Sequence, residues 1–172
     1  MNVDPDWSVA RVAVTTLMIR AGVRLPVEIA TWEGGLANAC LWGFGARRCI
    51  AVSWGLLAIL GTAELCAIVA HELGHYCLRH QRRLALHVGA QASALVAGLA
   101  MLTTGSELAF IAFIASGLIG FYYHRLVLDM DFQADAWACK FCDPRDLKSA
   151  LHKIAVANGC APPRRRIAEL GL

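Results

Sequence analysis

Apolar residues recur at helical spacing through Trp7, Ala10, Val14, Leu17, Met18 and Ala21. The spacing predicts an N-terminal helix that starts at Asp4-Pro5, with Asp as N-cap and Pro in the first turn, and stops at Gly22. From Pro26 to Val52 the period changes. Val27 to Trp32, Ala37 to Trp42 and Cys49 to Val52 are short β-prone runs divided by Gly34-Gly35 and by residues 43–48, the texture of a small antiparallel sheet. Ser53 can cap a short helix through Leu60, and Ala63 to about Arg83 reads as one longer helix.

Residues 84–123 are the least polar stretch. Two apolar runs, Leu86 to Thr103 and Leu108 to Tyr123, flank a turn at Thr104 to Glu107. Each would span about 24 to 27 Å as helix, at the short end of what a bilayer requires. The alternative is a helical hairpin buried in a soluble core, and small residues such as Gly89, Ala97 and Gly98 suit close packing in either solvent. Arg79, Arg82 and Arg83 precede the hairpin and Arg125 follows it, while the turn carries no positive charge. That asymmetry predicts a membrane hairpin over 86–123 with both ends in the cytoplasm.

Composition agrees with this picture. The 172 residues suffice for one domain, and a hydrophobic fraction of 58% is high for a soluble globular chain. Mean hydropathy is +0.52. A net charge of +3 is too small to argue for a nucleic-acid partner; the clusters Arg79, Arg82, Arg83 and Arg164 to Arg166 suit a membrane surface or solvated faces. Seven cysteines at irregular spacing imply a reducing compartment, and Cys139-x-x-Cys142 lacks the second pair a metal motif would need, so it reads as structural thiols. The charged opening residues predict no signal peptide.

Candidate chemistry sits in His71-Glu72-Leu73-Gly74-His75. Two histidines four apart on a helix share a face, so both imidazoles reach one ion. Glu72 lies about 100° round the helix from His71, where it can take a proton from a water the metal activates without ligating the metal itself. Apolar and small neighbours (Val69, Ala70, Leu73, Gly74) embed this polar triad in a buried helix, where its polar groups need satisfaction that a metal supplies. Zinc suits such nitrogens and asks for a third protein ligand. Asp131 and Asp135, four apart on a predicted helix, are candidates: one carboxylate for the metal, the other to orient a ligating histidine. Asp129 and Glu107 are their competitors.

These motifs resemble the zinc metallopeptidases of the HtpX-like and CAAX-prenyl-protease-like kind. The likeness runs from about Arg20 to Leu170: Ala21-Gly22 with Leu25-Pro26-Val27, Asn38-Ala39, Ile50 to Ser53, Gly55 to Leu57, Glu64-Leu65, Ala70 to His75, and Pro162-Pro163 with Arg166 to Ala168. The family's metal-binding carboxylate lies in Glu-x-x-Ala-Asp, which falls on Asp131 to Asp135. The resemblance therefore implies His71, His75 and Asp131 as ligands of one zinc ion, Glu72 as general base and Asp135 as the residue that orients a ligand. It also implies a polypeptide substrate captured along an edge strand at Asn38, Ala39 and Cys40, through Trp42. Two positions depart from the family: Asp131 replaces Glu, and Cys160 stands where a His precedes the prolines.

The expectation is a single metallopeptidase domain over 1–172 of α+β class. It is a mainly helical, gluzincin-like body with a small antiparallel sheet. An apolar hairpin is inserted between the metal helix and the third-ligand helix. The activity implied is zinc-dependent endopeptidase, placed at the cell inner membrane with a cytoplasmic catalytic body, or else in the cytoplasm. Two rival classes stay open: a metallopeptidase-like scaffold that binds without cutting, and a small membrane subunit of a larger assembly. His80, His87, His124 and His152 are expected to be surface or packing residues.

Overall fold

The computed structural model describes residues 7–23, 27–44 and 47–170. The expected helix start at Asp4-Pro5, and the strand lead-in at Leu25-Pro26, lie outside the described residues. The chain forms two compact units, one of residues 1–78 with 132–172 and one of residues 79–131.

In the first unit, α1 (Trp7–Arg20) buries Val14 and Leu17. It closes at Gly22, whose φ of +66° lets Val23 N–H reach back to Met18 O at 3.1 Å, a glycine-terminated helix end. Three strands follow, β1 (Val27–Trp32), β2 (Ala39–Phe44) and β3 (Arg47–Ser53), in the order β1-β3-β2. The sheet is mixed, which corrects the antiparallel expectation. β2 and β3 form an antiparallel pair with Leu41 opposite Ile50, whereas β1 runs parallel to β3 with Ile29 beside Ile50. The cause is topological: β3 enters between its predecessors, so β1 meets β3 and never touches β2, which is left as an edge strand. Ile50 and Val52 turn to the core, while Trp42, of opposite parity, stays 71% exposed.

Ser53 joins strand to helix. Its buried hydroxyl accepts from Leu56 N–H at 3.1 Å, capping α2 (Trp54–Ile59), and from Asn38 N–H at 2.9 Å. Ser53 N–H in turn donates to Asn38 O at 2.9 Å. The chain ahead of β2 is fixed further by Asn158, whose amide exchanges two 2.9 Å bonds with the main chain of Ala37. These side-chain bonds explain why β2 starts at Ala39 and not at Ala37.

The central helix is α3 (Thr62–Cys77), which packs against α1, β2 and α6 (Pro144–Ala157). Val69 and Leu73 are fully buried on it. Buried Glu64 accepts from Gly61 N–H at 2.8 Å, Ser149 Oγ at 2.6 Å and Lys153 Nζ at 2.7 Å, so one carboxylate caps α3 and ties it to α6. α6 starts on the Asp143 cap with Pro144 in its first turn and buries Leu147, Ala150, Leu151 and Ala155. A short α7 (Arg164–Glu169) ends the described chain.

The metal-motif helix ends at Cys77 instead of running to Arg83, because Arg79 adopts a left-handed φ of 58° and a new helix, α4 (His80–Thr103), begins after it. α4 and the first part of α5 (Leu108–Ala138) form the hairpin of the second unit. Gly105, at φ +68°, lets Ser106 N–H close the turn on Met101 O at 3.1 Å. Gly98 faces Ala112 and Phe113, and His87 Nε2–H donates to Ile119 O at 2.8 Å. Both helices are long and apolar enough to cross a membrane, and only 6% of each apolar window is covered by protein. α5 is one helix of 31 residues, so the hairpin's second arm continues without a break into the expected third-ligand segment.

Candidate metal centre

His71 and His75 occupy successive turns of α3, with Glu72 next to His71, and Asp131 and Asp135 occupy successive turns of α5. The two helices approach closely at Gly74. A Cβ there would lie 3.1 Å from both Cα and O of Ala134, so glycine on one helix opposite alanine on the other permits the approach.

His71 is buried and its Nδ1 lies 2.7 Å from Asp135 Oδ1. A carboxylate only accepts, so Nδ1 carries the proton and the lone pair of Nε2 is left on the far side of the ring. That lone pair meets His75 Nε2 at 3.0 Å. One ligand atom from each of His71, His75 and Asp131 falls within 4.8 Å of the others, the group among the described residues that can hold a metal ion. The competitors Asp129 and Glu107 are exposed and outside it.

Asp135 is 3% exposed and receives a second partner that the sequence reading missed. Arg166 of α7 approaches both oxygens, Nε to Oδ2 and Nη2 to Oδ1, each at 2.7 Å. The bidentate guanidinium supplies the positive charge a buried carboxylate needs. The 3.3 Å separation of Arg166 Nη2 from His71 Nδ1 follows from both donating to Oδ1. In the sequence Arg166 belongs to a cationic cluster with Arg164 and Arg165. Its neighbours Arg164 and Arg165 are exposed and it is not, because its guanidinium is engaged by buried Asp135. The apolar residues after it were the available signal.

Glu72 is half-buried, and its Oε2 accepts from Leu41 N–H of the edge strand at 3.0 Å. The edge strand therefore borders the site. Of the three residues assigned to it, Ala39 and Cys40 lie in β2, whereas Asn38 precedes it with its main chain paired to Ser53. Burial first, then the charge of Glu72 and the neighbouring Cys49, push the Cys40 thiol above its ordinary pKa. It is held as a neutral thiol. Cys160 is exposed. Of the remaining histidines, His80 is buried, His87 bonds within the hairpin, and His124 and His152 are exposed.

A helix bearing two histidines that converge on an acid from a second helix, beside the edge strand of a small sheet, defines a metallopeptidase-type fold and site. The family model for peptidase family M48 matches residues 9–170, and the chain belongs to that family. It is 30% identical over 170 residues to "Protease HtpX homolog" of Thermoplasma acidophilum, covering 91% of this chain and 53% of that protein. The fold is similar to the crystal structure of S. mikatae Ste24p, with a TM-score of 0.70 and 18% identity over 94% of this chain and 49% of that one. The chain spans about half the length of these relatives.

Proposed function

We propose that the chain is a zinc-dependent endopeptidase that hydrolyses polypeptides with Glu72 as general base. The observation that carries this reading is the convergence of His71 Nε2, His75 Nε2 and the Asp131 carboxylate, with His71 held in the ligating tautomer by Asp135. The donor set fits zinc. Two ligands at about 2.0 to 2.1 Å in a tetrahedral site stand about 3.3 Å apart, close to the 3.0 Å between the two imidazole nitrogens. Zinc, when bound, would supply Lewis acidity for a water and for the scissile carbonyl.

The chain's own residues do the rest. Asp135 and Arg166 keep His71 oriented. Glu72 takes the proton of the attacking water and returns it to the leaving amine. As the edge strand of the sheet, β2 would pair with an extended substrate, a mode that supports a polypeptide; Ala39 and Cys40 lie in that strand, and Asn38 leads into it. The apolar hairpin supports a membrane setting, and the arginines at its two ends favour the cytoplasmic side of the inner membrane for the body. The test is metal analysis of the purified chain beside His71→Ala, with cleavage of an unfolded test protein as readout. One zinc per chain, lost in the variant together with cleavage, is the expected result. Full cleavage by metal-free protein would end the reading.

A further inference from the structure

One face of α6 carries a polar, mainly cationic stripe. Arg145, Lys148, Ser149, His152 and Lys153 recur at the intervals that place residues on one helix face. Between this stripe and Ile167 of α7 lies a cavity of ≈ 570 Å³, the size of a small-ligand site. Its lining is of two kinds. Ile167 and the methylene stems of the long side chains make an apolar floor, and their charged heads make the rim. Lys153 is engaged by Glu64. Among the described residues, the side chains of Arg145, Lys148 and His152 have no ion-pair partner. An apolar floor beneath the unpaired cations Arg145 and Lys148 suits an amphiphilic anion.

The position of this cavity gives it a consequence. α7 has six residues and no side-chain N-cap, too short to persist without support. Yet it carries Arg166, which grips Asp135, which orients His71. Ile167, the next residue, lines the cavity.

We propose that the cavity between α6 and α7 binds the headgroup of an anionic phospholipid. The phosphate is held by Arg145 and Lys148, and the glycerol end lies on Ile167. The bound lipid braces α7 against α6 and so keeps Arg166 on Asp135. Choosing a lipid over a soluble anion rests on the membrane reading of the hairpin, since a chain with two such helices meets a lipid surface. The cation site itself does not depend on the peptidase reading, and neither does its test.

The test uses the full chain in a neutral detergent, titrated separately with dihexanoyl phosphatidylglycerol, dihexanoyl phosphatidylcholine and inorganic phosphate. Amide hydrogen exchange across residues 164–169 is the readout, and activity is not needed. Phosphatidylglycerol is expected to slow exchange there saturably, with the other two inert at the same concentration. Arg145→Glu with Lys148→Glu should weaken the effect at least tenfold. Should charge reversal unfold the chain, the neutral pair Arg145→Gln with Lys148→Gln makes the same comparison. An equal effect of phosphatidylcholine would reduce the cavity to a general apolar cleft. An equal effect of phosphate would make it a soluble-anion site, and unchanged binding by the variants would remove the cations from it. Any of the three overturns the proposal.

Discussion

Asp135 serves two cationic or polarised donors from one buried carboxylate, and that sharing sets what each substitution does. Arg166→Ala leaves the carboxylate buried beside a lone imidazole, an uncompensated charge that favours a different tautomer or a moved ring. Metal affinity should fall by roughly 10- to 100-fold, measured by competition with a chelator, while the helical circular-dichroism signal persists. Arg166→Lys should recover only part of it, because an ammonium cannot match both oxygens at once. If Arg166→Ala bound metal as tightly as wild type, the orienting chain from α7 to His71 would be wrong. Asp131→Ala removes a proposed direct ligand and should abolish tight binding where Arg166→Ala only weakens it. Glu72→Gln should differ from all of these: on the proposed reading it keeps the metal and the fold and loses cleavage, since only a proton acceptor is gone. His71, Glu72 and His75 were legible in the sequence because helical geometry alone puts them together. Arg166 was not, because its partner is 31 positions away and it sits in a run of three arginines.

At the scale of elements, short-range signals gave the strands and the Ser53 cap but not how the strands pair. Nothing local to Val27–Trp32 says that its neighbour is β3 in parallel; that depends on where β3 enters. The break at Arg79 is equally hidden, since an arginine carries no turn signal, whereas the apolar residues of α6 recur at helical spacing. Glu64 proves to be the link between α3 and α6. Burial raises its pKa, but hydrogen bonds from Lys153, Ser149 and Gly61 N–H outweigh this and hold the carboxyl below its ordinary value. A depressed folded pKa means stability that is present above the unfolded pKa of about 4.3 and lost as pH falls through the folded value. Glu64→Gln should therefore cost about 1 to 3 kcal/mol near pH 7, and the gap from wild type should shrink as the solution is acidified below about pH 4.3. Urea melts at several pH values measure it. A gap that stayed constant down to the acid limit would show that the ionised carboxylate contributes nothing.

At the scale of the whole molecule, the two units have different relations to solvent. The first has a buried apolar core, with Ile50, Leu56, Leu73 and Leu147 at or near zero exposure. The second leaves Val96, Leu99, Phe110, Ile111, Leu118 and Phe121 each more than half exposed. A contiguous apolar surface of that kind marks an interface with lipid or protein, and the backbone of both helices is internally bonded as a bilayer demands. Within the hairpin, His87 spends its N–H on Ile119 O, the pairing a polar side chain needs in that setting. We expect alkaline extraction to leave the chain in the membrane pellet. A cysteine placed at Ser106, in the turn, should react with an impermeant maleimide added outside intact cells. Cys77 and Cys160, both exposed on the first unit, should react only after permeabilisation. Labelling of Cys77 and Cys160 from outside, with the turn protected, would reverse the orientation. Full recovery as a monodisperse species without detergent would remove the hairpin from the bilayer and leave the metal centre's chemistry to be judged alone.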